Sequence, residues 1–262
     1  MNFTIRAITL DLDDTLWPFA PIGARIERVL DDWLRMHSPR TAERFPIAEM
    51  RALRERVFDA HPHLLHDMGA LRRLTLEHAF RESGDDPALA DPAYDVFYAE
   101  RNRVECYPDA IDALARISAK LPVAALTNGN ADLAAIGLDH HFAFALGACE
   151  HGAAKPDPGI FLAACERLGC APGEVLHVGD HIEMDVLGAA RAGLRTAWVH
   201  RDDARAQHPH WPHDDIAPDL IVADMAALAD LLDGMVDRMS ADKPDAANDP
   251  AHTATTSHGI RT

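Results

Sequence analysis

The sequence predicts an α/β fold: a doubly wound parallel sheet with helices on both faces, interrupted early by an inserted block of helices. Three observations carry this. From Tyr107 onward short apolar runs alternate with segments of helical period, which implies parallel strands joined by crossover helices. The stretch from about Ala20 to Arg103 holds four amphipathic segments and no convincing strand, the pattern of a small bundle. The first apolar run, Ile5 to Leu10, ends in three carboxylates within four residues, Asp11, Asp13 and Asp14. The carboxyl end of a buried strand is where open α/β sheets bind ligands.

Each element has its own signal. Ile5 to Leu10 is apolar and too short for a helix of that composition. Ile22, Ile26, Val29, Leu30, Trp33 and Leu34 recur at helical spacing, and Pro39 and Pro46 punctuate. Further helices are predicted from about Ile47 to Ala60, Leu64 to Ser83 and Ala93 to Asn102. Pro108-Asp109 opens a helix carrying Ile111, Leu114, Ile117 and Leu121. The strands Pro122–Thr127, Phe142–Leu146, Glu174–Gly179, Arg195–Val199 and Asp219–Ala223 then alternate with helices. Those helices are predicted from about Ala131 to Leu138, Pro158 to Leu168, Met184 to Ala192 and Met225 to Met235. The division that follows is a core of residues 1–19 and 104–237, an inserted helical unit of residues 20–103, and a tail of residues 238–262. The tail is Ala, Asp, Thr, His and Pro with few large apolar side chains, a composition that cannot bury enough surface to order itself.

Composition narrows the function. The 262 residues are 48% hydrophobic with a formal net charge of -17, which argues against nucleic-acid and anionic-membrane partners. An anionic substrate must therefore be held by local positive features. The N-terminus lacks a basic region followed by a long apolar core, and no apolar run approaches the roughly 20 residues of a membrane span. Cys106, Cys149, Cys165 and Cys170 follow no metal or disulfide spacing and read as reduced thiols. A cytoplasmic protein, monomeric or homodimeric, is the expectation. His61-Pro62-His63 with His66-Asp67 fits no zinc spacing well, and His208, His210 and His213 fall in a Pro-rich loop that reads as solvated.

Four stretches could carry chemistry. Carboxylates crowded at a buried strand end repel one another unless a cation offsets them, and oxygen ligands of this kind suit Mg²⁺. The plainer reading of Asp13-Asp14-Thr15 is an N-cap and turn cluster. Thr127-Asn128-Gly129-Asn130 ends a strand with a hydroxyl and free N–H groups that can hold phosphate oxygens; the alternative is a helix cap. Lys155 precedes a helix opened by Pro158, where it can neutralise an anion, or it is one more surface lysine. Asp180 ends another strand with Asp185 one turn on, and could equally cap the helix.

Four weak signals at four strand ends, in this order, are stronger than any one. Asp11-Leu12-Asp13-Asp14-Thr15-Leu16, Thr127-Asn128, Lys155-Pro156 and Gly179-Asp180 with Asp185 together resemble the four motifs of the haloacid-dehalogenase-like hydrolases. The resemblance covers roughly Ile5 to Leu232 and implies a Rossmann-like core with a small helical cap of the kind placed after the first strand. Asp14 stands where the family most often has Gly. By similarity, Asp11 is the nucleophile that forms an aspartyl-phosphate, and Asp13 is the general acid and base. Mg²⁺ is held by Asp11, the Asp13 carbonyl and Asp180, supplemented by Asp185. Thr127 and Asn128 hold the phosphoryl oxygens, and Lys155 offsets their charge.

The dehalogenases of the family lack an Asp two residues after the nucleophile, so Asp13 favours phosphomonoester hydrolysis of a small phosphorylated metabolite. The run from Lys155 to Arg201 looks most like a bacterial subgroup that dephosphorylates flavin mononucleotide and the ribitylaminopyrimidine phosphate of riboflavin synthesis. Cap residues select substrate in this family, and Trp17, His66, Arg72 and Arg73 are the candidates; for the two arginines the alternative is a solvated helix face. The competing functions are a 2-haloacid dehalogenase or sugar phosphate mutase of the same superfamily and, outside enzymes, a phospho-Asp receiver domain. In receivers the lysine follows every acid, whereas here Asp180 and Asp185 follow Lys155.

Overall fold

The computed structural model describes residues 4–201 and 211–241. Six parallel strands form one sheet: β1 (Ala7–Leu10), β2 (Val123–Thr127), β3 (Phe144–Gly147), β4 (Val175–Gly179), β5 (Arg195–Val199) and β6 (Leu220–Val222). Their order is β3-β2-β1-β4-β5-β6, which puts β1 between β2 and β4. In register, Thr9 pairs with Ala124 on one side and His177 on the other. The three strand ends expected to carry Asp11, Thr127 and Asp180 are therefore adjacent.

The strands are apolar on both faces because both faces are covered. Ile8, Leu10, Leu176 and Val178 point into the larger core, while Ala7 and Val175 point into a second core with Leu126, Leu146, Ile160 and Phe161. This is the period-two alternation of a strand.

Between β1 and β2 the chain makes α1 (Phe19–His37), α2 (Pro39–Arg44), α3 (Ile47–Ala60), α4 (Met68–Ser83), α5 (Ala90–Arg101) and α6 (Ala110–Ser118). The first five are the inserted block. After β2 come α7 (Leu133–Ile136), α8 (Ala148–His151), α9 (Pro158–Leu168), α10 (Gly188–Arg191) and α11 (Met225–Ala241). The larger core is continuous from Ile22, Ile26 and Leu30 of α1 through β1 to Leu114 of α6 and Leu228 beyond β6. Phe45, Leu53, Val57, Leu71 and Ala79 make a separate cluster inside the block.

The sequence reading holds for the strands and long helices and differs at several ends. The Pro39 region is a short helix. The helix expected from Leu64 starts at Met68, because the Asp67 carboxylate caps it by accepting from the Ala70 N–H at 2.8 Å. The helix expected over Ala131–Leu138 shrinks to one turn closed by Gly137 in the left-handed region. The segment from Ile182 to Leu187 is a π-helical turn leading into α10. Such turns are frequent at functional sites, and this one carries the buried Asp185. The last helix runs to Ala241, so the first residues of the predicted tail are helical backbone; residues 242–262, and His208 and His210, lie outside the described residues. No helix among the described residues is long and apolar enough to cross a membrane.

Candidate active site

Asp11 follows β1 directly, and its N–H donates to the Val178 carbonyl at 2.9 Å, which ties it to the end of β4. Asp180 follows β4, where its carbonyl accepts from the Trp198 indole at 2.8 Å and its carboxylate from the Thr15 hydroxyl at 3.1 Å. Asp185 is turned back toward both. One carboxylate oxygen from each of Asp11, Asp180 and Asp185 lies within 4.8 Å of the others.

Lys155 arrives from the loop between α8 and α9 and is buried. Its Nζ donates to Asp11 Oδ1 and to Asp185 Oδ1, both at 2.6 Å. Asp185 is also held by His177 Nε2 at 3.2 Å and by the His181 N–H at 3.0 Å. Burial holds the His177 imidazole below its usual range, hence neutral. A carboxylate only accepts, so the ring proton sits on Nε2 and Nδ1 accepts from the Thr9 hydroxyl at 2.9 Å. This buried chain, Thr9 to His177 to Asp185 to Lys155 to Asp11, lies out of reach of motif reasoning. Its one signal is a histidine in the middle of the apolar strand Val175-Leu176-His177-Val178.

One ammonium faces three carboxylates, and the electrostatics are lopsided. Burial pushes Asp11 up to about 7, with Lys155 opposing and Asp185 adding to the rise. Burial, then the charges of Asp11 and Asp185, push Asp180 up to about 8. Burial also acts against ionised Asp185, but Lys155 and His177 outweigh it and hold that group well below the carboxylate range. Lys155 is held above its usual value despite burial, by the same two carboxylates. Asp11, despite its contact with Lys155, and Asp180 are therefore incompletely compensated by the described residues. A buried set of hard oxygen donors in this condition fits a small divalent cation such as Mg²⁺.

Asp13 points elsewhere. Its Oδ1 accepts from the Trp17 indole at 2.8 Å and its Oδ2 from Arg101 at 2.6 Å. The turn that carries it is tight: the Asp14 N–H donates to the Trp17 carbonyl at 2.7 Å, and Asp14 has φ of 59°. That left-handed conformation explains why glycine is common at this position and why Asp, which tolerates it, can stand in.

Thr127 ends β2, and its hydroxyl accepts from the Gly129 N–H at 3.0 Å. The Asn128 side chain is engaged at both ends, donating to the Lys155 carbonyl at 2.9 Å and accepting from the Lys155 N–H at 2.7 Å. It fastens the lysine loop to the end of β2, so any group Asn128 offers to an anion is its backbone N–H. Gly179 also has a spatial reason to be glycine, since a Cβ there would overlap the Asp185 carboxyl group. A Gly179→Ala variant is expected to lose about 1–3 kcal/mol of stability, as overpacked sites do, together with most of its activity. Urea unfolding and a phosphatase assay would check this.

The remaining candidates separate. Trp17, expected to offer its ring to a substrate, is instead fully buried and works through Asp13. Arg72 stacks over Phe97 at 4.6 Å and lines a groove of the block with Ile26, Leu30 and Phe45. Burial lowers its guanidinium to about 10. Arg73 stacks over Tyr94 at 3.5 Å, and the Tyr94 hydroxyl meets Asn130 at 3.4 Å, beside the Thr127 loop. His66 lies partly buried in the turn before α4; the neighbouring Asp67 reaches Cys149 of α8, whose thiol is pushed up by burial and by that carboxylate. Arg73 and His66 are thus on the side of the block that meets the strand ends. His213 contacts Glu183 at 3.2 Å. Arg101 was not singled out from the sequence, where it is one arginine among many in amphipathic helices.

A parallel sheet with acids at adjacent strand ends, a buried lysine and a helical insertion after the first strand defines a known class. Residues 5–193 match the haloacid dehalogenase-like hydrolase family, and the chain belongs to it. It is 32% identical over 232 residues to the 5-amino-6-(5-phospho-D-ribitylamino)uracil phosphatase YigB of Escherichia coli (strain K12), covering 87% of this chain and 96% of that protein. It is 38% identical over 163 residues to a phosphoserine phosphatase of Thermus thermophilus, covering 60% of this chain and 63% of that protein. Among solved structures, a 2-haloacid dehalogenase from Pseudomonas syringae pv. Tomato DC3000 superposes with a TM-score of 0.80 at 35% identity, covering 88% of this chain and 100% of that one.

Proposed function

We propose that this protein is a Mg²⁺-dependent phosphomonoesterase acting on a small phosphorylated metabolite through an aspartyl-phosphate on Asp11. The observation that carries the reading is the division of labour between two acids. Asp11 is buried against Lys155 with one oxygen committed, while Asp13, two residues on, is partly open and held by two donors. A carboxylate nucleophile and a separate general acid are what phosphoryl transfer to an alkyl leaving group needs.

In this reading an Asp11 oxygen forms a bond to phosphorus as the ester P–O bond breaks, and Asp13 gives its proton to the departing alkoxide. Asp13 then takes a proton from water as that water attacks phosphorus; the Asp11–phosphorus bond breaks and inorganic phosphate leaves. Lys155, the Thr127 hydroxyl and the Asn128 N–H face the phosphoryl oxygens. The carboxylates of Asp11, Asp180 and Asp185, with the Asp13 carbonyl, would hold Mg²⁺, which when bound supplies positive charge against the phosphoryl group. Residues 20–103 act as a cap over the site on residues 1–19 and 104–237, with Arg73 and His66 at the rim. The similarity to YigB favours a ribitylaminopyrimidine phosphate, with flavin mononucleotide next.

Two measurements test this. Turnover of a phosphometabolite panel, ranked by kcat/KM, is expected to place the ribitylaminopyrimidine phosphate first and to show no halide release from 2-chloropropionate. Halide release without phosphate release would mean a dehalogenase. EDTA is expected to abolish the activity and Mg²⁺ to restore it; full activity in EDTA would end the metal assignment.

A further inference from the structure

We propose that Arg101 is a positioning residue for the general acid, fixing the Asp13 carboxyl group from the inserted block. The inference rests on the reading of Asp13 given above. Arg101 is the last residue of α5, so it belongs to the block, whereas Asp13 belongs to the sheet-end loop. The Arg101 side chain is 2% exposed, and its Nη2 donates to Asp13 Oδ2 at 2.6 Å. The Trp17 indole takes the other oxygen at 2.8 Å. Two directional donors on two different oxygens fix the plane of a carboxyl group, which a single contact cannot do.

The surroundings have the same shape. Asp13 is 24% exposed at the side chain while both its donors are buried, so the acid faces outward from a rigid backing. A Cβ at Gly129 would sit 2.9 Å from Asp13 Oδ2 and 3.1 Å from Arg101 Nη2, so the loop after β2 closes down on the pair and needs glycine to do so. The Phe19 ring lies 5.4 Å from the guanidinium carbon. Arg101 Nη1 is buried with no hydrogen-bond partner among the described residues. A buried donor left unsatisfied costs stability, so the arginine is not there to complete a structural network. Its geometry serves Asp13.

Acting through Asp13 has a signature that a structural role lacks. Departure of p-nitrophenolate needs little protonation, whereas departure of an alkoxide needs a well-placed proton. The value of kcat/KM covers only the steps through phosphoryl transfer to Asp11, where the leaving group departs. Arg101→Met is therefore expected to lower kcat/KM for glycerol phosphate by about 10²-fold more than for p-nitrophenyl phosphate, the lower range of a general-acid contribution. Arg101→Lys, which keeps the buried charge but not the planar donor, is expected to show the same discrimination more weakly and guards against a Met variant that does not fold. Asp13→Asn is measured alongside. If Asp13→Asn discriminates between the two esters and both Arg101 variants slow them equally, Arg101 does not position the acid, and the assignment of Asp13 stands. If Asp13→Asn itself does not discriminate, the assignment of Asp13 fails and the role of Arg101 falls with it.

Discussion

Asp11→Asn is expected to abolish phosphomonoester turnover, with a loss of at least about 10³-fold, and to leave the protein no less stable than the wild type when metal is absent. The first half follows from chemistry, since an amide oxygen is a poor nucleophile toward phosphorus. The second follows from the crowding of three carboxylates around one ammonium. Asp11 is raised to about 7 and Asp180 to about 8 in the folded protein, whereas unfolded carboxyls titrate near 3.8. Above about pH 4 the folded state therefore holds protons that the unfolded chain has released, so stability falls as pH rises from about 4 to about 8. Removing the Asp11 charge removes its own share of that slope and part of the cause of the Asp180 shift. Thermal unfolding in EDTA across pH 5 to 9 should give a shallower fall for the variant, and Mg²⁺ should raise the wild-type Tm more at pH 8 than at pH 5. A variant that melts well below the wild type at pH 8 in EDTA would contradict the crowding argument.

Lys155→Met is expected to have the largest effect on folding. It removes the ammonium that both Asp11 and Asp185 contact and leaves two buried acids without it. Breaking a buried pair from one side costs about 3–5 kcal/mol, and activity should fall by at least about 10²-fold because one electrostatic support of the reacting oxygens is gone. The double variant Lys155→Met/Asp185→Asn should regain part of the lost stability, since it removes one of the stranded charges. Urea unfolding of the two variants and the wild type decides this; a single variant of wild-type stability would mean that the lysine is not the counter-charge.

The sheet and the motifs at Asp11, Thr127 and Asp180 were legible because each depends on local pattern, an apolar run and then a polar residue at its end, whereas Lys155 was legible from its place before the helix opened by Pro158. Asp11 and Asp180 converge because they follow the adjacent strands β1 and β4, and Lys155 and Asp185 join them from the loop before α9 and from the π-helical turn. What sequence could not supply were partners from distant segments. Nothing in the sequence around the end of α5 distinguishes Arg101 from Arg103 just beyond it, yet one is buried on Asp13 and the other is exposed beside Glu100. Trp17 read as an accessible ring because aromatic residues near a site often are. Its burial follows from the tight turn at Asp13–Trp17, which folds the indole back under the acid. The π-helical turn at Ile182 was missed for a related reason: the inward pull on Asp185 comes from Lys155, 30 residues earlier.

The unbroken apolar core that runs from α1 through β1 to the last helix bears on how specificity can change. Ile22, Ile26 and Leu30 are shared between the insert and the sheet, so the insert is not a cassette that can be exchanged whole between relatives without exposing the underside of its host. On the function proposed above, new substrates are expected to be reached instead by single substitutions around Arg73 and His66, of which Arg73 rests on the core residue Tyr94 and His66 is only partly buried.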